Sequence, residues 1–461
     1  MTLSGVGGRE RDDACPGALR PHQAADGALL RLRVPGGVLR VSALRGLAAA
    51  SADLADGRIG LTSRGNVQVR GAADGDVGTL VERLREVGLL PHAEHERVRN
   101  IIASPLSGRR PSSRADIDPL VQDLDAALCA RPGLARLPGR FLFAVDDGSG
   151  DVQGEGADVL VVALGAGQYA VRPAGVRRGL QVGVENVVTA ALAVAEVFLV
   201  EREAQESRAW RIAELTGGGA VLVSRLAAAW PTEAGLTEAG LTEAGLTEAG
   251  PTEAGPQGPN TNGPTGADLT QCGGLEPGLI EQADGRFAVC ALTPLGLLEP
   301  EQAMALAAAA ELSTERGSTP ANPGIPANPG DTPAELRVTP WRRVLIRDLD
   351  LPAALAAREL LAAHGLVVAA GTAWSRLTAC AGRPGCAKAL TDVHADARAF
   401  VAAADPVGPA VHWAGCERGC GTPAGRDVVR LLATADGYRL DGRLSPRDRA
   451  AAGIERTEVP A

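Results

Sequence analysis

Two pairs of cysteines in the last fifth of the chain are the residues whose type and spacing most clearly indicate chemistry. Cys380 and Cys386 are separated by five residues, Cys416 and Cys420 by three, and 29 residues lie between the pairs. Glycine and proline surround each pair, which lets the backbone turn sharply around a bulky inorganic centre. Four thiolates are the ligand set of a 4Fe-4S cluster, so the pattern favours an iron-sulfur site.

Two other uses of four cysteines stay open at this point. Structural zinc also takes four thiolates, but its paired cysteines are usually two to four residues apart, and a five-residue gap is wider than that. Thiols that bind no metal are the second alternative. Disulfides require an oxidising compartment. The first 18 residues are polar and glycine-rich without the apolar segment of a signal peptide, so we expect a cytoplasmic protein.

Composition limits the class of partner. The 461 residues carry a formal net charge of -9, which argues against a general nucleic-acid or anionic-membrane binder. The longest apolar run, from Val187 to Val200, contains Glu196 and is too short to span a bilayer. Lys388 is the only lysine in the sequence, so an arginine is informative here only where it belongs to a pattern. We therefore expect no nucleic-acid and no membrane partner.

Alternating residues near the start of the chain predict a sheet with one apolar and one basic face. Leu30, Leu32 and Val34 share one parity, and Arg31 and Arg33 share the other. An alanine-rich helix should follow, and a helix is expected again from 76 to 87, which together with a second strand would complete a β-α-β-α ferredoxin-like half.

That second strand is expected over residues 58–71, provided that Gly65 does not reset its phase. Its apolar face would consist of Ile59, Leu61, Val67 and Val69. Its other face would be a row of hydrogen-bond donors, formed by Thr62, Arg64, Asn66, Gln68 and Arg70.

The second half of the chain repeats the pattern of the first, with cysteine pairs only in the second copy. We therefore predict an α+β, internally duplicated fold. The predicted segments are a disordered N-terminus at 1–18, a ferredoxin-like half-domain at 19–90, a cluster-free α/β domain at 91–228, a low-complexity linker at 229–274, a second half-domain at 275–350 with a disordered insertion at 313–333, and a cluster domain at 351–461.

This combination of a cysteine motif and a duplication resembles the sulfite and nitrite reductase family. The resemblance implies two ferredoxin-like half-domains and two α/β domains, the second of which carries a 4Fe-4S cluster on Cys380, Cys386, Cys416 and Cys420. In the sirohaem-containing members, the fourth cysteine also bridges to the sirohaem iron.

The resemblance also implies side chains that grip the carboxylates of a tetrapyrrole. The family motifs place Arg31 in LLR, Arg64 in TSR, and Arg99 with Asn100 in RN. Guanidinium groups suit this role because they pair bidentately with carboxylates and stay charged when partly desolvated.

One position departs from the assimilatory sulfite reductases. Those proteins have a K-x-K motif where this chain has GRFLFAV. Arg140 therefore stands at the position of the first lysine and Leu142 at the position of the second. A neutral side chain there removes half of the positive charge that would bind sulfite or nitrite, which makes six-electron reduction less favourable. We assign Arg140 to substrate binding.

The segments CPGALRP, SPLSGR and PGRFLFAVDDGSGDV bring the chain nearer to the precorrin-3B synthase family. That resemblance implies an iron-sulfur-dependent monooxygenase of aerobic cobalamin biosynthesis, which uses O2 to hydroxylate precorrin-3A at carbon C20 and forms a γ-lactone. A further, non-haem iron would accompany the cluster, or sirohaem if the chain is instead a reductase. No dinucleotide fingerprint follows a strand, so electrons from NADH would arrive through a separate reductase.

Two other functions stay open. One is a sirohaem-dependent nitrite or sulfite reductase, and the other is a non-enzymatic binding protein stabilised by a metal. The six histidines are scattered and assign no acid or base.

Overall fold

The structure is a computed structural model that describes residues 13, 15–176, 179–229, 275–313, 334–423, 428–442 and 444–452. The predicted linker at 229–274, except for its first residue, and the predicted insertion at 313–333, except for Ser313, lie outside the described residues.

The elements occur in the same order in the two halves of the chain. The first ferredoxin-like half contains β1 (His22–Ala24), β2 (Gly27–Leu32), β3 (Val38–Arg40), α1 (Val41–Leu54), β4 (Ile59–Leu61), β5 (Val67–Ala72) and α2 (Val77–Glu86). The first α/β domain contains β6 (Ile101–Ala103), α3 (Asp118–Cys129), β7 (Phe143–Asp146), β8 (Val159–Gly165), β9 (Gln168–Pro173), β10 (Leu180–Gly183), α4 (Val187–Ala204) and α5 (Gly218–Ala229).

The second copy follows the same plan. Its ferredoxin-like half contains β11 (Gly278–Glu281), β12 (Phe287–Leu292), β13 (Leu297–Leu298), α6 (Pro300–Ala310), β14 (Glu335–Val338), β15 (Arg343–Leu349) and α7 (Leu351–Ala363). Its α/β domain contains β16 (Leu377–Ala379), α8 (Val393–Val401), β17 (Ala410–Ala414), β18 (Val428–Thr434), β19 (Gly437–Asp441) and α9 (Pro446–Ala451).

The two ferredoxin-like halves exchange a strand. One sheet has the order β1-β2-β5-β4-β13, and the other has the order β11-β12-β15-β14-β3. β3 of the first copy pairs antiparallel with β14 of the second, with Val38 opposite Arg337. β13 of the second copy pairs with β4 of the first, with Leu297 opposite Gly60. Each sheet therefore completes its edge with a strand from the other copy.

The two halves also share one hydrophobic core. Helix α1 packs against α6, and fully buried side chains such as Leu47 and Leu306 belong to the same apolar cluster. Alanine is abundant at this contact, which lets the helices approach closely. Burial of apolar surface across the exchange is the main attraction between the copies.

Each α/β domain is built on a mixed sheet. In the first, β6, β7 and β8 are parallel, and β9 and β10 continue the sheet antiparallel. In the second, β16, β17 and β18 are parallel and β19 is antiparallel to β18. Segments that follow neighbouring parallel strands emerge at the same sheet edge, and the cysteine pairs follow β16 and β17.

Three sequence-based expectations need correction. Residues 58–71 form a hairpin, β4 and β5, because Gly65 adopts a left-handed φ of 63° and Thr62 closes the turn. Disorder does not extend to residues 15–18, since Ala18 is fully buried and its N–H donates to Glu96. Helix α7 packs on α6 and β12, so the second half-domain continues past residue 350 just as α2 completes the first.

No helix in the described part of the chain combines the length and apolar character needed to cross a membrane.

Candidate functional site

A cavity of about 540 Å³ lies between the first ferredoxin-like sheet and the loops of the second α/β domain. Its charge is the reverse of that of the chain, because the wall carries nine arginines and only two carboxylates among the described residues. The arginines are Arg31, Arg33, Arg58, Arg64, Arg70, Arg140, Arg342, Arg383 and Arg398, and the carboxylates are Asp26 and Asp392. A concave wall of one sign concentrates a ligand of the opposite charge.

The polar face of the β4–β5 hairpin forms much of this wall. All five side chains that the sequence places on that face line the cavity, namely Thr62, Arg64, Asn66, Gln68 and Arg70. The apolar face points into the shared core, where Ile59 and Val67 are buried. The alternation of the sequence thus produces a basic wall on a rigid sheet, although the turn at Gly65 divides the strand.

Two of the expected substrate-binding arginines, Arg31 and Arg64, lie in this wall. Arg31 Nη2 donates to Gln68 Oε1 at 3.1 Å, and burial lowers the pKa of Arg31. Arg64 Nη1 donates to the carbonyl of Arg140 at 2.9 Å. Burial and the nearby Arg211 lower the pKa of Arg64 to about 10, so it remains charged at neutral pH. Neither guanidinium has a carboxylate partner among the described residues.

Arg140 and Asn100 also line the cavity. The Arg140 guanidinium lies 5.4 Å from the centre of the Trp210 ring, a cation-π distance. Asn100 donates to the carbonyl of Gly139 at 2.7 Å and accepts from Asn66 Nδ2 at 3.0 Å. These bonds fix the segment that carries Arg140 against the hairpin.

Arg99 does not reach the cavity, contrary to the expectation from its motif. Its Nε and Nη2 donate to the two carboxylate oxygens of Asp125 on α3 at 2.8 and 2.5 Å, and both side chains are buried. The neighbouring side chains of Arg99 and Asn100 point in different directions, so one motif supplies a core ion pair and a cavity residue. Leu142 is likewise buried, in an apolar cluster with Ile102, Ala144 and Val152.

Sequence reasoning missed several wall residues. Arg33 donates to the carbonyls of Arg97 and Pro16, and burial lowers the pKa of Arg33 to about 9. It has the same strand parity as Arg31, so the pattern could have identified it. Cys15 also lines the cavity. Burial and Asp13 raise the pKa of the Cys15 thiol. No spacing rule would have found it.

The cysteine pairs lie at one edge of the second α/β sheet. Cys380 directly follows β16, and Cys416 follows the neighbouring β17 by two residues. Gly415 N–H donates to Cys380 Sγ at 3.1 Å. Burial raises the pKa of Cys380 and the nearby thiols of Cys386 and Cys416 raise it further, whereas the N–H groups of Gly415 and Gly382 lower it.

Backbone contacts hold the second member of each pair. Cys386 N–H donates to the carbonyl of Gly382 at 2.8 Å, closing the loop between the first two cysteines. The buried His412 has Nε2 3.0 Å from the carbonyl of Cys420 and Nδ1 2.8 Å from Thr378 Oγ1. Burial lowers the pKa of His412 to about 4, so its ring is neutral at pH 7. Cys380 and Cys420 both line the cavity.

The four cysteines differ in arrangement from the ligand set of a single metal ion. In the described part of the chain, no three side chains of His, Cys, Asp or Glu converge closely enough to hold a single metal ion. The four thiols nevertheless share one sheet edge, and N–H groups point at Cys380 Sγ. An all-thiol set suits iron-sulfur chemistry, and a cluster of several irons spans a wider gap than one ion. By its chemistry the thiol set therefore suits an iron-sulfur cluster, and the described side chains form no site for a single metal ion.

The first half-domain contacts the loop of the first cysteine pair directly. Arg70 forms a bidentate pair with Asp26, at 2.7 and 2.9 Å, and also donates to the carbonyl of Gly385 at 2.7 Å. Gly385 immediately precedes Cys386, so a strand of the first copy positions the cysteine loop of the second. His394 Nε2 lies 2.8 Å from the carbonyl of Cys380 and braces the same loop.

Comparison with known proteins agrees with this architecture. The family model described as the nitrite/sulfite reductase ferredoxin-like half domain matches residues 20–87. A precorrin-3B synthase of Sinorhizobium sp is 25% identical over 438 residues, which cover 93% of this chain and 82% of that protein. The chain is therefore similar to that precorrin-3B synthase over nearly its whole length.

Nitrite reductases are similar to this chain over a shorter region. The ferredoxin-nitrite reductase of Synechococcus elongatus is 34% identical over 126 residues, covering 26% of this chain and 25% of that protein. The chloroplastic enzyme of Zea mays is 32% identical over 123 residues, covering 25% and 22%.

A solved structure extends the likeness to nearly the whole fold. The structure of the Mycobacterium tuberculosis NirA protein superposes with a TM-score of 0.60 at 18% identity, covering 91% of this chain and 76% of that one. The predicted α+β, nitrite/sulfite reductase-like fold with a ferredoxin-like half domain is therefore confirmed.

Proposed function

We propose that this protein is a precorrin-3B synthase. In this proposal it is a cytoplasmic monooxygenase of aerobic cobalamin biosynthesis that hydroxylates precorrin-3A at carbon C20 and forms a γ-lactone. The observation that carries the proposal is a single cavity with arginines of the first copy on one wall and Cys380 and Cys420 of the second on another. The precorrin-3B synthase relative, which aligns with nearly the whole chain, supports it.

The electrostatics of the cavity suit a polycarboxylate. Six of its guanidiniums have no carboxylate partner among the described residues: Arg31, Arg33, Arg64, Arg140, Arg342 and Arg383. Each guanidinium can bind a ligand carboxylate without first breaking an ion pair within the protein. Bidentate pairing then fixes the orientation of the carboxylate. The volume falls in the range of about 300 to 1,000 Å³ that is usual for small-molecule sites.

The roles of the residues follow from their positions. Cys380, Cys386, Cys416 and Cys420 would hold the cluster, which when bound supplies electrons singly to the oxygen chemistry. Arg31, Arg64 and Arg140 would orient the macrocycle through its acidic side chains. The bond between Arg70 and Gly385 would keep the electron-donating wall at a fixed distance from that substrate.

The overall reaction requires an outside source of electrons. One atom of O2 enters the substrate, and the other leaves as water after taking up two electrons and two protons. We assign the electrons to NADH acting through a separate reductase. A further, non-haem iron would accompany the cluster in this proposal, but the described residues offer no group of three His, Cys, Asp or Glu side chains for it, so it is assigned no ligands.

Product analysis tests the proposal. Anaerobically purified protein, reconstituted with iron and sulfide, would be mixed with precorrin-3A, a chemical reductant and O2. We expect the product to gain one oxygen atom by mass spectrometry and to show the carbonyl absorption of a lactone. A protein with its full complement of cluster iron that leaves the substrate mass unchanged would contradict the proposal.

The nitrite reductase relatives motivate one competing function, a sirohaem-dependent nitrite or sulfite reductase. Arg140 supplies one cation near the cavity, while the buried Leu142 supplies none. We therefore expect no consumption of nitrite or sulfite with reduced methyl viologen, and no sirohaem absorption that accompanies such activity. A non-enzymatic, zinc-stabilised binding protein is excluded if about four irons and four sulfides are found per chain.

A further inference from the structure

The hairpin turn of each ferredoxin-like half has the same backbone but a different residue at its tightest point. In the first copy Gly65 N–H donates to Thr62 O at 3.2 Å, and φ at Gly65 is 63°. In the second copy Arg342 N–H donates to Thr339 O at 3.1 Å, and φ at Arg342 is 57°. Arg342 therefore occupies the position that glycine occupies in the equivalent turn.

A left-handed backbone is unfavourable for a residue with a side chain. The Cβ of an L-residue at this φ crowds the following carbonyl, whereas glycine adopts the conformation freely. Strain of this kind is found most often where a side chain must reach a functional position. Arg342 is one of five non-glycine residues with positive φ in the described part of the chain, and it lines the cavity with another of them, Leu295.

A second glycine opens the path of the Arg342 side chain. A Cβ placed on Gly296 would lie 2.5 Å from Arg342 Cδ, which is closer than real contacts allow, and 3.3 Å from Arg342 Nε, which is a tight contact. Gly296, with φ of 75°, therefore leaves a channel through which the guanidinium extends to the cavity wall. Two adjacent loops of the second copy are shaped around this one side chain.

The protein does not neutralise the charge that it places there. No carboxylate or carbonyl of the described residues hydrogen-bonds the Arg342 guanidinium, unlike Arg70, which is paired with Asp26. Burial lowers the pKa of Arg342, and no neighbouring group raises it. Arg342 is half-buried, and a partly desolvated cation without a protein partner gains from a ligand that supplies the counter-charge.

We propose that Arg342 binds a carboxylate of the ligand in this cavity, in addition to Arg31 and Arg64. The class of ligand, a polycarboxylated tetrapyrrole, rests on the proposed function; the existence of an anion-binding group at this position rests on the strained turn, the channel beside Gly296 and the missing counter-ion. The ligand is then gripped by both copies of the duplicated fold.

Equilibrium binding tests the proposal without any need for turnover. Uroporphyrin, a tetrapyrrole with eight carboxylates, would be titrated into the purified protein and its fluorescence followed. Arg342→Gln is expected to weaken binding roughly 10- to 100-fold, the usual loss for a charge-assisted hydrogen bond. Arg439→Gln is the matched control, because Arg439 is exposed on β19 away from the cavity, and its affinity should equal that of the wild type.

Arg342→Gly separates a binding role from a structural one. Glycine relieves the left-handed backbone, so this variant should melt at a higher temperature than the wild type while binding uroporphyrin as weakly as Arg342→Gln. A lower melting temperature would overturn the proposal, because Arg342 would then support the fold rather than a ligand.

The two proposals fail in different ways. Wild-type protein that binds no uroporphyrin would overturn the tetrapyrrole function and, with it, the assignment of a tetrapyrrole carboxylate to Arg342. Wild-type protein that binds tightly, together with an Arg342→Gln variant of unchanged affinity, would overturn the role of Arg342 alone.

Discussion

The two α/β domains each have a backbone N–H that donates to the side chain of the residue after the first strand, but that side chain differs in chemistry. In the first copy, Asp147 N–H donates to Ser104 Oγ at 3.1 Å; in the second, Gly415 N–H donates to Cys380 Sγ at 3.1 Å. Ser104 follows β6 as Cys380 follows β16. The two residues thus differ in one side-chain atom, the Cys380 sulfur, which suits a cluster, and the Ser104 oxygen, which does not.

The surroundings of that atom differ as well. Ser104 Oγ donates to Asp151 at 2.6 Å, and the Asp146 carboxylate accepts the N–H groups of Gly148 and Gly150. The first copy therefore bonds its serine hydroxyl to a carboxylate, whereas the second leaves thiols near the cavity. The comparison teaches that the duplicated fold provides a location, and the residues grafted onto it decide what the location does.

The largest expected effect comes from exchanging that atom in the second copy. Cys380→Ser should reduce bound iron to background and lower precorrin-3A turnover by at least about 100-fold, because a cluster is not retained without its four thiolates. Iron analysis and product mass measure the two effects. Circular dichroism and the melting curve show whether the variant is folded.

The reciprocal change in the first copy is the matched control. Ser104→Cys adds a thiol at the equivalent place, but its neighbours are carboxylates rather than cysteines. We expect the iron content per chain to stay that of the wild type. A gain of iron would show that the first copy retains a latent site and would break the comparison.

Arg99 of the first copy should contribute to stability rather than to binding. Arg99→Gln leaves the Asp125 carboxylate buried without its partner, which typically lowers the free energy of unfolding by about 3–5 kcal/mol. Urea unfolding measures this loss. Uroporphyrin affinity and iron content of the folded variant should match the wild type, and a selective loss of affinity would restore Arg99 to the binding residues.

Arg64 should behave in the opposite way. Arg64→Gln removes a cavity guanidinium with no carboxylate partner among the described residues, so affinity for uroporphyrin should fall roughly 10-fold or more. Unfolding should change little, because only one hydrogen bond, to the carbonyl of Arg140, is lost. A fall in stability without a fall in affinity would contradict this assignment.

The smallest expected effect concerns pH and the carboxylates of the first copy. Burial raises the pKa of Asp151 to about 7, and Asp146 and Asp147 add to the rise. Its carboxyl therefore holds a proton in the folded state at pH values where the unfolded chain has released it. The folded state loses stability as pH rises from about 4 to about 7, and the loss is complete above that range.

Asp151→Asn removes this titration. We expect the variant to exceed the wild type in free energy of unfolding by roughly 1–3 kcal/mol at pH 8 and by little at pH 4. Urea denaturation at both pH values measures the difference. A difference that does not change with pH would show that Asp151 is ionised in the folded protein.

The predictable part of the fold came from local periodicity and from repetition. The polar face from Thr62 to Arg70 follows from alternation, and the repeated order of elements follows from the echo between halves. The prediction failed for side chains whose direction is set by a partner far away in the sequence. Nothing near Arg99 in the sequence shows that Asp125 will capture it, since the two meet only when α3 packs beside β6.

Turns and loops hide the remaining site residues. A left-handed turn normally indicates glycine, so an arginine at that position was invisible until both hairpins could be compared. Cys15 reaches the cavity through a segment without regular structure, where no period applies. Such positions are fixed by long-range packing, which single-sequence patterns do not encode.

The exchange of β3 and β13 has a consequence for how such a molecule arose. A single copy would have a sheet edge without a hydrogen-bonded neighbour and a helix with an exposed apolar face. Both features favour association with another chain. Two separate copies could have completed each other's sheets by exchanging strands in a symmetric dimer. Joining the two copies into one polypeptide preserves the strand exchange and lets the two sequences diverge. One copy then carries the Cys380 thiol where the other carries the Ser104 hydroxyl.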